Sequence, residues 1–443
     1  MGEKGHNQAV MSDGFRELLK LVPADVPAAG VVAAAVPAAD VPAAAAPAID
    51  WDAILHSGLA PCLRRMEETR QDPKWHGEGD VLTHTKMVCE KLIESPAWQA
   101  LERRRQEELF IAALLHDIGK PSCTREEGGS IVSPNHTSVG ARLARTVLWR
   151  YLGISGTLEA QRFRETVCSL IRYHVKPLYL IEDASPERTA ITLAAQGGLV
   201  THAVHGGLVT HAAHGGKITH FTNDLLSILA EADIRGRVSG DAGESLERLD
   251  FFREVSKEAG CLHQPKAFPS AFSRYAYLSG RDIYPGRGGQ PGQDLYDDTW
   301  GTVVLLSGLP GTGKDTWIKA TCPGMPVVSL DALRDGMGVS PTDPQGQVVN
   351  AAMEQAKAYL RGRQEFVWNA TNVAPGRREK LVRLFMNYKA KVKIVFLETS
   401  WGELLRRNKS REKAVPEPVI ERMLANLVPP GPSEAHEVEW LIV

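Results

Sequence analysis

The chain has 443 residues, of which 43% are hydrophobic and 23% charged, and its formal net charge is -2. This length exceeds what one ordinary hydrophobic core needs, so we expect two folded domains and flexible segments. The composition argues against wholesale disorder. The near-neutral charge argues against a protein that coats nucleic acid, so any contact with nucleic acid must be local.

The N-terminal segment, residues 1–50, is predicted to contain a flexible tether. Residues 23–50 are almost entirely Ala, Val and Pro, and their repeated prolines prevent a continuous helix. The chain shows neither the apolar core of a signal peptide nor the long apolar run of a membrane helix. Its six cysteines are scattered, without a C-x-x-C pair. These features favour a cytoplasmic protein with no membrane partner.

Residues 51–283 are predicted to form an all-α domain. From Trp51 to about Phe252, apolar residues recur at spacings of three and four, and short polar turns separate the segments. Within this region, 196–222 carries three tandem nine-residue copies: QGGLVTHAV, HGGLVTHAA and HGGKITHFT. Paired glycines break helices, and three copies are few for a stable solenoid. The repeat is therefore predicted to be a surface-loop insertion.

A pattern of His and Asp side chains runs through this helical region. Its members are His84, His116, Asp117 and Asp233. The pair at 116–117 ends the apolar segment LFIAALLHDIGK, and Asp233 shares a helical stripe with leucines. A carboxylate on a buried stripe is costly unless it is paired or ligates a metal. One such residue alone would be read as a hydrogen-bonded core residue, but the whole spacing favours a metal site.

The chemistry expected of such a site is hydrolysis at phosphorus. A divalent cation accepts imidazole nitrogen and carboxylate oxygen and lowers the pKa of bound water, so that hydroxide can attack. Lys120, which follows the His-Asp pair, could then hold the phosphate group.

The sequence around the pattern resembles a known family. The segment QDPKWHGEGDVLTHT at 71–85, together with HDIGKP, is similar to the HD domains of metal-dependent phosphohydrolases, notably the one attached to bacterial tRNA nucleotidyltransferases. The metal ligands that this resemblance implies are His84, His116, Asp117 and Asp233. His136 and His174 match the extra histidines of two-metal relatives. One or two ions such as Mn²⁺, Ni²⁺, Co²⁺ or Zn²⁺ are therefore expected.

After a linker at 284–299, residues 300–443 are predicted to form an α/β domain. Four segments indicate buried parallel strands, each followed by a helical stretch: 302–307, 326–330, 365–369 and 392–398. This alternation is typical of a doubly wound parallel sheet that binds a nucleotide. The predicted fold class is thus multidomain, with an all-α HD domain followed by an α/β P-loop kinase domain.

The strongest motif is GLPGTGKDT at 308–316, between the first of these strands and a helix. Its glycines let backbone N–H groups approach phosphate oxygens, and its lysine reaches the β and γ phosphates. The predicted nucleotide-binding residues are Gly308, Gly311, Thr312, Gly313, Lys314, Asp315 and Thr316. Asp315 stands where Ser or Thr usually contacts magnesium, so Thr316 is the alternative contact. We expect ATP or another NTP with Mg²⁺.

Residues after this loop indicate a kinase. Asp331, just past the second strand, can act as a general base that accepts a proton from an attacking hydroxyl. Arg334, one helical turn later, could bind a substrate phosphate. In the basic segment 404–423, Arg407 and Arg411 lie one turn apart and could clamp the transferring phosphoryl group. Either arginine alone could instead belong to a solvated helix face.

These features together resemble the 5'-hydroxyl polynucleotide kinases, which also share the NATN sequence at 369–372. The resemblance implies that Asp331 is the base and that Arg407 and Arg411 are lid arginines, whereas Ala370 replaces an acidic residue of some relatives. With its connecting sequence 267–283, the region 51–443 is similar to bacterial enzymes that fuse an HD phosphohydrolase to a polynucleotide kinase and mend RNA ends. RNA or DNA ends are then the expected partners. No K-x-D-G ligase motif is present, so strand joining would need a separate ligase.

Three functions fit the sequence, and RNA end healing is favoured. In it, the HD domain removes a 2',3'-cyclic phosphate or a 2'-phosphate, and the P-loop domain phosphorylates a 5'-hydroxyl end. Basic patches at 377–393 and 406–413 would supply local polynucleotide contacts. The alternatives are a nucleotide phosphohydrolase fused to a small-molecule kinase, and a nucleotide-gated switch without catalysis. The oligomeric state stays open, with a homodimer among the options.

Overall fold

The computed structural model describes residues 11–23, 48–198, 201–204, 221–279, 290–340 and 342–443, with only the backbone at 201–204. Residues 24–47 of the predicted tether, most of the glycine-histidine repeat and residues 284–289 of the predicted linker lie outside the described residues. The chain divides into two compact units, Met1–Ile154 with Glu159–Leu193 and His220–Gln264, and Ser155–Leu158 with Ala194–Thr219 and Pro265–Val443. None of the described helices is long and apolar enough to cross a membrane.

The first unit is mainly helical. Its helices are α1 (Asp13–Lys20), α2 (Trp51–His56), α3 (Ala60–Glu67), α4 (Val81–Glu94), α5 (Pro96–Gln99), α6 (Arg103–Leu115), α7 (Lys120–Cys123), α8 (His136–Thr146), α9 (Leu158–Tyr173), α10 (Pro186–Gln196), α11 (Asn223–Arg235) and α12 (Ala242–Glu258). A π-helical turn spans Val147–Tyr151, and a 3-10 helix spans Lys176–Glu182. The predicted helical domain is confirmed by this architecture.

A small hairpin interrupts the helices, which the sequence pattern did not predict. Strands β1 (Arg125–Glu127) and β2 (Ser130–Val132) pair antiparallel around Gly128 and Gly129. Both glycines have positive φ, 61° and 82°, which the tightest two-residue hairpin turns require. The strands are too short and polar to show a periodic signal, and the glycine pair was the only local clue.

Helices α4, α6 and α11 pack against one another and form the centre of this unit. Capping defines where two of them begin: Asp80 accepts a hydrogen bond from Thr83 N at 2.9 Å, and Thr222 accepts one from Leu225 N at 3.2 Å. On α4, the buried face carries Val81, Val88 and Leu92. His84 lies on that same face, so an imidazole enters the core with the apolar side chains.

Helix α1 belongs to this helical unit, although the sequence placed it in the segment before the domain. Phe15 is fully buried, and its ring centroid lies 4.9 Å from that of Phe163. A Cβ on Gly14 would lie 2.3 Å from Leu152 O, so the helix backbone fits tightly against the unit. Arg103 donates to the carbonyl of Val22 at 3.2 Å. Residues 11–23 are thus part of the packed structure.

The second unit is built on a parallel sheet. Its elements are β3 (Thr201–Val204), α13 (Ala271–Leu278), β4 (Thr302–Ser307), α14 (Lys314–Thr321), β5 (Val327–Ser329), α15 (Leu330–Gly336), α16 (Gly346–Arg361), β6 (Val367–Asn369), α17 (Pro375–Asn387), β7 (Lys391–Glu398), α18 (Trp401–Lys409), α19 (Glu417–Ala425) and β8 (Glu437–Ile442). The strand order is β3-β8-β7-β4-β6-β5, and every pairing is parallel. The predicted α/β fold is confirmed, with β4 at the centre and helices between successive strands from β4 onward.

Two strands and one helix differ from the sequence prediction. Strand β8 was not predicted, and β3 comes from the first copy of the repeat, which was predicted to be a surface loop. Backbone pairing from Thr201↔Glu439 to Val204↔Ile442 places β3 at the sheet edge. Helix α13 groups with the second unit, although the sequence prediction assigned it to the HD domain. A parallel partner far along the chain leaves no local signature, which explains why both strands were missed.

A buried ion pair ties α17 to the chain before β8. Arg378 is fully buried and donates to Glu434 Oε2 at 2.7 Å and Oε1 at 2.9 Å. It also donates to the carbonyl of Asn372 at 2.9 Å. The sequence prediction had assigned Arg378 to a surface basic patch, and this assignment is wrong because the guanidinium points into the protein.

We expect Arg378→Ala to destabilise the second unit by about 3 kcal/mol, because it leaves Glu434 and a backbone carbonyl without their partner. The measurement is chemical unfolding followed by tryptophan fluorescence. Arg377→Ala is the matched control, since Arg377 is the exposed neighbour. Equal stability of the two variants would contradict the role assigned to Arg378.

Candidate active sites

The His and Asp residues predicted as metal ligands come together where α4, α11 and the end of α6 meet. His84 Nε2 lies 3.0 Å from Asp233 Oδ1, and His116 Nε2 lies 3.2 Å from Asp117 Oδ2. The two imidazoles approach each other to 3.4 Å between their Nε2 atoms. All four residues are at most 2% exposed. Residues separated by up to 149 positions thus share one buried cluster.

His136 and His174, predicted as further histidines, join the same cluster. The ring of His174 lies 5.2 Å from that of His116 and 5.6 Å from that of His136. His136 Nε2 lies 3.5 Å from Asp117 Oδ1. Burial lowers the pKa of His174 to about 3 and also lowers the pKa of His136. Both rings are therefore neutral at pH 7, the state in which imidazole can ligate a metal.

Backbone carbonyls set the orientation of three of these rings. The Nδ1 atoms of His116, His136 and His174 lie 2.7, 2.8 and 2.9 Å from the carbonyl oxygens of Ala113, Ser133 and Ile171. A neutral imidazole that faces a carbonyl carries its proton on that nitrogen. In the neutral rings of His136 and His174, the Nε2 lone pair is then available to a ligand.

Neighbouring cations keep the two carboxylates ionised. Burial by itself would raise the pKa of Asp117, but the charges of His116 and Lys120 outweigh it and hold that pKa well below its usual range. Lys120 Nζ lies 2.7 Å from Asp117 Oδ2, which agrees with the prediction that this lysine follows and accompanies the His116 and Asp117 pair. Burial is likewise outweighed at Asp233, whose pKa is held well below normal chiefly by Arg237. Two ionised carboxylates therefore remain in a nearly water-free cluster.

This donor set fits a divalent transition metal. Ligand atoms of His84, His116 and Asp233 lie within 4.8 Å of one another, as do those of His116, Asp117 and His174. Asp117 Oδ1 is buried and makes no hydrogen bond to the described residues, so it retains a lone pair for a ligand. Mixed imidazole nitrogen and carboxylate oxygen suits Mn²⁺, Co²⁺, Ni²⁺ or Zn²⁺.

Sequence reasoning missed three polar residues at this cluster. Arg237 donates to Asp233 Oδ2 at 2.5 Å, and Gln71 Oε1 accepts from Lys120 Nζ at 2.6 Å. Glu78 Oε1 lies 2.9 Å from His84 Nδ1. Arg237 lies just past the end of α11, so helical spacing alone does not pair it with Asp233. No local signal marks Gln71 either.

The second site lies at the carboxyl end of β4. The chain passes from this strand through a loop into α14, and Gly308, Gly311 and Gly313 have φ of 148°, 83° and 81°. A Cβ on Gly308 would lie 2.6 Å from Leu397 O, and one on Gly311 would lie 2.7 Å from Leu404 O. Glycine is therefore required at both positions by conformation and by space. Thr312 is buried, and its hydroxyl donates to Leu309 O at 2.9 Å.

Lys314 begins α14 and reaches back over the loop. Its Nζ donates to Gly308 O at 3.0 Å and to Leu309 O at 2.8 Å. Burial lowers its pKa to about 8, a shift that Asp315 and Asp331 oppose and Arg411 reinforces. Lys314, Asp331 and Arg411, predicted from separate sequence segments, are thus electrostatic neighbours.

The NATN turn supports the loop. Asn369, the last residue of β6, donates to Asp315 Oδ1 at 2.7 Å. Gly308 N donates to the carbonyl of Thr371 at 2.9 Å, and Asn372 donates to Leu306 O at 2.7 Å. Asn372 has a left-handed φ of 42°, which asparagine tolerates better than most residues. The NATN turn therefore orients Asp315 and positions the phosphate loop. Thr316, the other predicted magnesium contact, is exposed on the first turn of α14.

The predicted base and arginines surround this loop. Asp331 has a 70% exposed side chain, and its Oδ1 accepts from Arg334 Nη1 at 2.5 Å. Arg334 also donates to Gln345 Oε1 at 2.8 Å. Arg407 Nη1 lies 3.4 Å from where a Cβ on Gly313 would be. Arg334 thus orients the carboxylate of Asp331, and its role in binding a substrate phosphate stays a prediction.

Comparison with known families agrees with both halves of the chain. A family model described as HD domain matches residues 81–195, and one described as AAA domain matches residues 303–430. The chain therefore combines an HD domain of the phosphohydrolase type with a P-loop domain of the kinase-like type. HD domains bind divalent metals, and P-loop kinases use a nucleoside triphosphate with Mg²⁺. Asp233 lies beyond the matched HD segment, so its place in the cluster comes from the fold alone.

We expect nucleotide affinity to fall as pH rises above about 8. The folded-state pKa of Lys314 lies below that of a free lysine, so the ammonium loses its proton in this range and no longer attracts phosphate. The measurement is ATP affinity by calorimetry from pH 7 to 9.5. Well above the pKa of Lys314, the affinity should fall by about tenfold per pH unit. Lys314→Arg should flatten the profile because arginine stays charged; an equally steep profile would contradict the assignment.

We also expect Arg407→Ala to lower the kcat of phosphoryl transfer by about 10²-fold, because the guanidinium lies beside Gly313 of the phosphate loop, where it would contact a transferring phosphoryl group. Arg406→Ala is the matched control. Arg406 pairs with the same Glu403 at 2.6 Å but is exposed. Comparable losses in both variants would show that the effect comes from Glu403 or from the helix, and not from the phosphate contact.

Proposed function

We propose that this chain heals RNA ends. The HD domain would remove a 2',3'-cyclic phosphate or a 2'-phosphate, and the P-loop domain would transfer the γ-phosphate of an NTP to a 5'-hydroxyl end. The observation that carries the proposal is the presence on one chain of a hydrolytic His and Asp cluster and a phosphate loop with a nearby carboxylate base. Cleavage that leaves 5'-hydroxyl and cyclic phosphate ends creates one substrate for each.

In the HD domain, the proposed ligands are His84, His116, Asp117 and Asp233, with His136 and His174 beside them. A divalent cation held there supplies Lewis acidity and an activated water. Lys120, 2.7 Å from Asp117, is placed to stabilise negative charge on the phosphate. Addition of water forms one P–O bond and breaks another, which opens the cyclic phosphate or releases phosphate from the 2'-oxygen.

In the P-loop domain, the loop amides and Lys314 would hold the β and γ phosphates. Asp331 would accept the proton of the 5'-hydroxyl while its oxygen bonds to the γ-phosphorus and the bond to the nucleoside diphosphate breaks. Arg334 keeps Asp331 oriented through its 2.5 Å contact. Arg407 and Arg411 would neutralise charge on the transferring group.

One observation favours a second candidate, a phosphohydrolase fused to a kinase of small nucleosides. Several cations assigned to the basic patches are paired: Arg378 with Glu434, Lys393 with Glu439 at 2.7 Å, and Lys413 with Asp335 at 2.7 Å. Paired cations attract a phosphate backbone less strongly. A short acceptor would need fewer such contacts than a long strand.

The test uses a short RNA with a 5'-hydroxyl and a 2',3'-cyclic phosphate, incubated with the full chain, Mg²⁺, Mn²⁺ and ATP labelled at the γ-phosphate. We expect label at the 5' end and loss of the cyclic phosphate. Asp331→Ala should abolish only the labelling, and Asp117→Asn should abolish only the loss of the cyclic phosphate.

Glu354→Gln and Asp183→Asn are the controls, because both residues are exposed acidic side chains. Label on free nucleosides but not on the oligonucleotide would replace the proposal with the small-molecule candidate. Loss of both activities in each single variant would indicate coupled sites and contradict the assignment of one reaction to each domain.

A further inference from the structure

We propose that Glu78 is a positioning residue of the HD metal centre, which holds His84 in its ligating orientation and raises the basicity of its free nitrogen. The inference rests on the metal centre of the proposed function but not on any substrate. It concerns a residue just outside the matched HD segment. The pattern WHGEGD at 75–80 places Glu78 immediately before α4 begins.

The imidazole of His84 lies between two carboxylates, that of Glu78 at Nδ1 and that of Asp233 at Nε2. Glu78 Oε1 lies 2.9 Å from His84 Nδ1, while Nε2 of the same ring lies 3.0 Å from Asp233 Oδ1. The Glu78 side chain is only 2% exposed. Gly236 O also lies 3.2 Å from His84 Nδ1. His84 Nδ1 thus faces a carbonyl oxygen, as the Nδ1 atoms of His116, His136 and His174 do, and a buried carboxylate lies beside it as well.

Glu78 is itself held by two further groups. His76 Nδ1 lies 2.9 Å from the same Oε1 atom. Val238 N donates to Oε2 at 2.9 Å, and Gly77 N donates back to Val238 O at 2.9 Å. A carboxylate fixed at both oxygens cannot turn away from the imidazole. A carboxylate beside Nδ1 increases electron density at Nε2, and such partners typically change metal affinity by about 10–100-fold.

A competing assignment is that Glu78 ligates an ion. The ligand atoms of His76, Glu78 and His84 lie within 4.8 Å of one another, so they could hold a cation of their own. That assignment would use His84 Nδ1, the nitrogen that faces away from Asp233. The two assignments differ in stoichiometry, because an orienting residue changes affinity while a ligand changes the number of ions bound.

The experiment is a titration of the full chain with Co²⁺ as the probe, followed by its visible absorption and by calorimetry. Histidines of the glycine-histidine repeat could also bind cobalt, so His84→Ala defines the background. The variants are Glu78→Gln, which keeps the shape but removes the charge, and Glu78→Asp as a conservative rescue. Glu94→Gln is the control, because Glu94 is exposed on α4 and contacts only Lys91 at 2.8 Å among the ion pairs described.

The expected result for Glu78→Gln is a Co²⁺ affinity about 10–100-fold weaker, with the same number of ions, a shifted absorption band and an unchanged melting temperature. Glu78→Asp should recover part of the affinity. Unchanged affinity, or the loss of one bound ion, would overturn the proposal. If Glu78→Gln does not fold, the variant His76→Asn replaces it in the test. Removing His76 frees one side of the Glu78 carboxylate, so Co²⁺ binding should weaken. Unchanged Co²⁺ binding in His76→Asn would overturn the proposal.

This test separates the inference from the proposed function. If His84→Ala binds as much Co²⁺ as the parent chain, then the metal centre itself is absent and both ideas fail together. If Glu78→Gln weakens Co²⁺ binding but the RNA ends remain unprocessed, the positioning role stands and only the substrate assignment fails.

Discussion

Asp117 and Asp233 lie in the helical core of the first unit with 1% and 2% of their surfaces exposed. Removing an ionised carboxylate from water costs several kcal/mol unless partners replace the lost hydration. Each helix that meets there brings such a partner: α4 brings His84, the end of α6 brings His116, and α11 continues into Arg237. The helices that pack around the candidate metal centre therefore also supply the groups that balance two buried negative charges.

In the second unit, the candidate site has to attract negative charge and not to balance it. Its loop must attract phosphate, so it presents backbone amides and the helix dipole, which remain polar without a buried carboxylate. Lys314 brings a positive charge to this loop, with Asp315 beside it, and the depressed pKa of Lys314 shows that burial opposes its charge. The carbonyls of Leu397 and Leu404 approach the loop so closely that side chains at Gly308 and Gly311 would collide with them. The position of the phosphate loop is therefore set by backbone contacts.

The sequence predicted the elements whose signals are local. Strands β4 and β7 are apolar runs, and the P-loop follows β4 directly, so both could be read without a partner. Strand β8 alternates Glu with apolar residues, and its glutamates are explained only by Lys391 and Lys393 on β7, at 2.7 Å each. Residues such as Glu78 and Arg378 were missed or misplaced for the same reason. Their roles depend on atoms brought close by tertiary packing.

The paired cations also bear on which acceptor the kinase domain would use. An enzyme that acts along a strand needs many free phosphate contacts, and its affinity falls steeply with salt. An enzyme that acts at a terminus needs to fix one hydroxyl and the first phosphates beside it, which a few arginines can do. Arg411 is exposed yet close enough to act on the pKa of Lys314. The pairing of Arg378, Lys393 and Lys413 with acidic side chains is therefore compatible with an acceptor that is bound at its end. What would distinguish a polynucleotide from a nucleoside acceptor is whether a phosphodiester next to the acceptor hydroxyl improves binding.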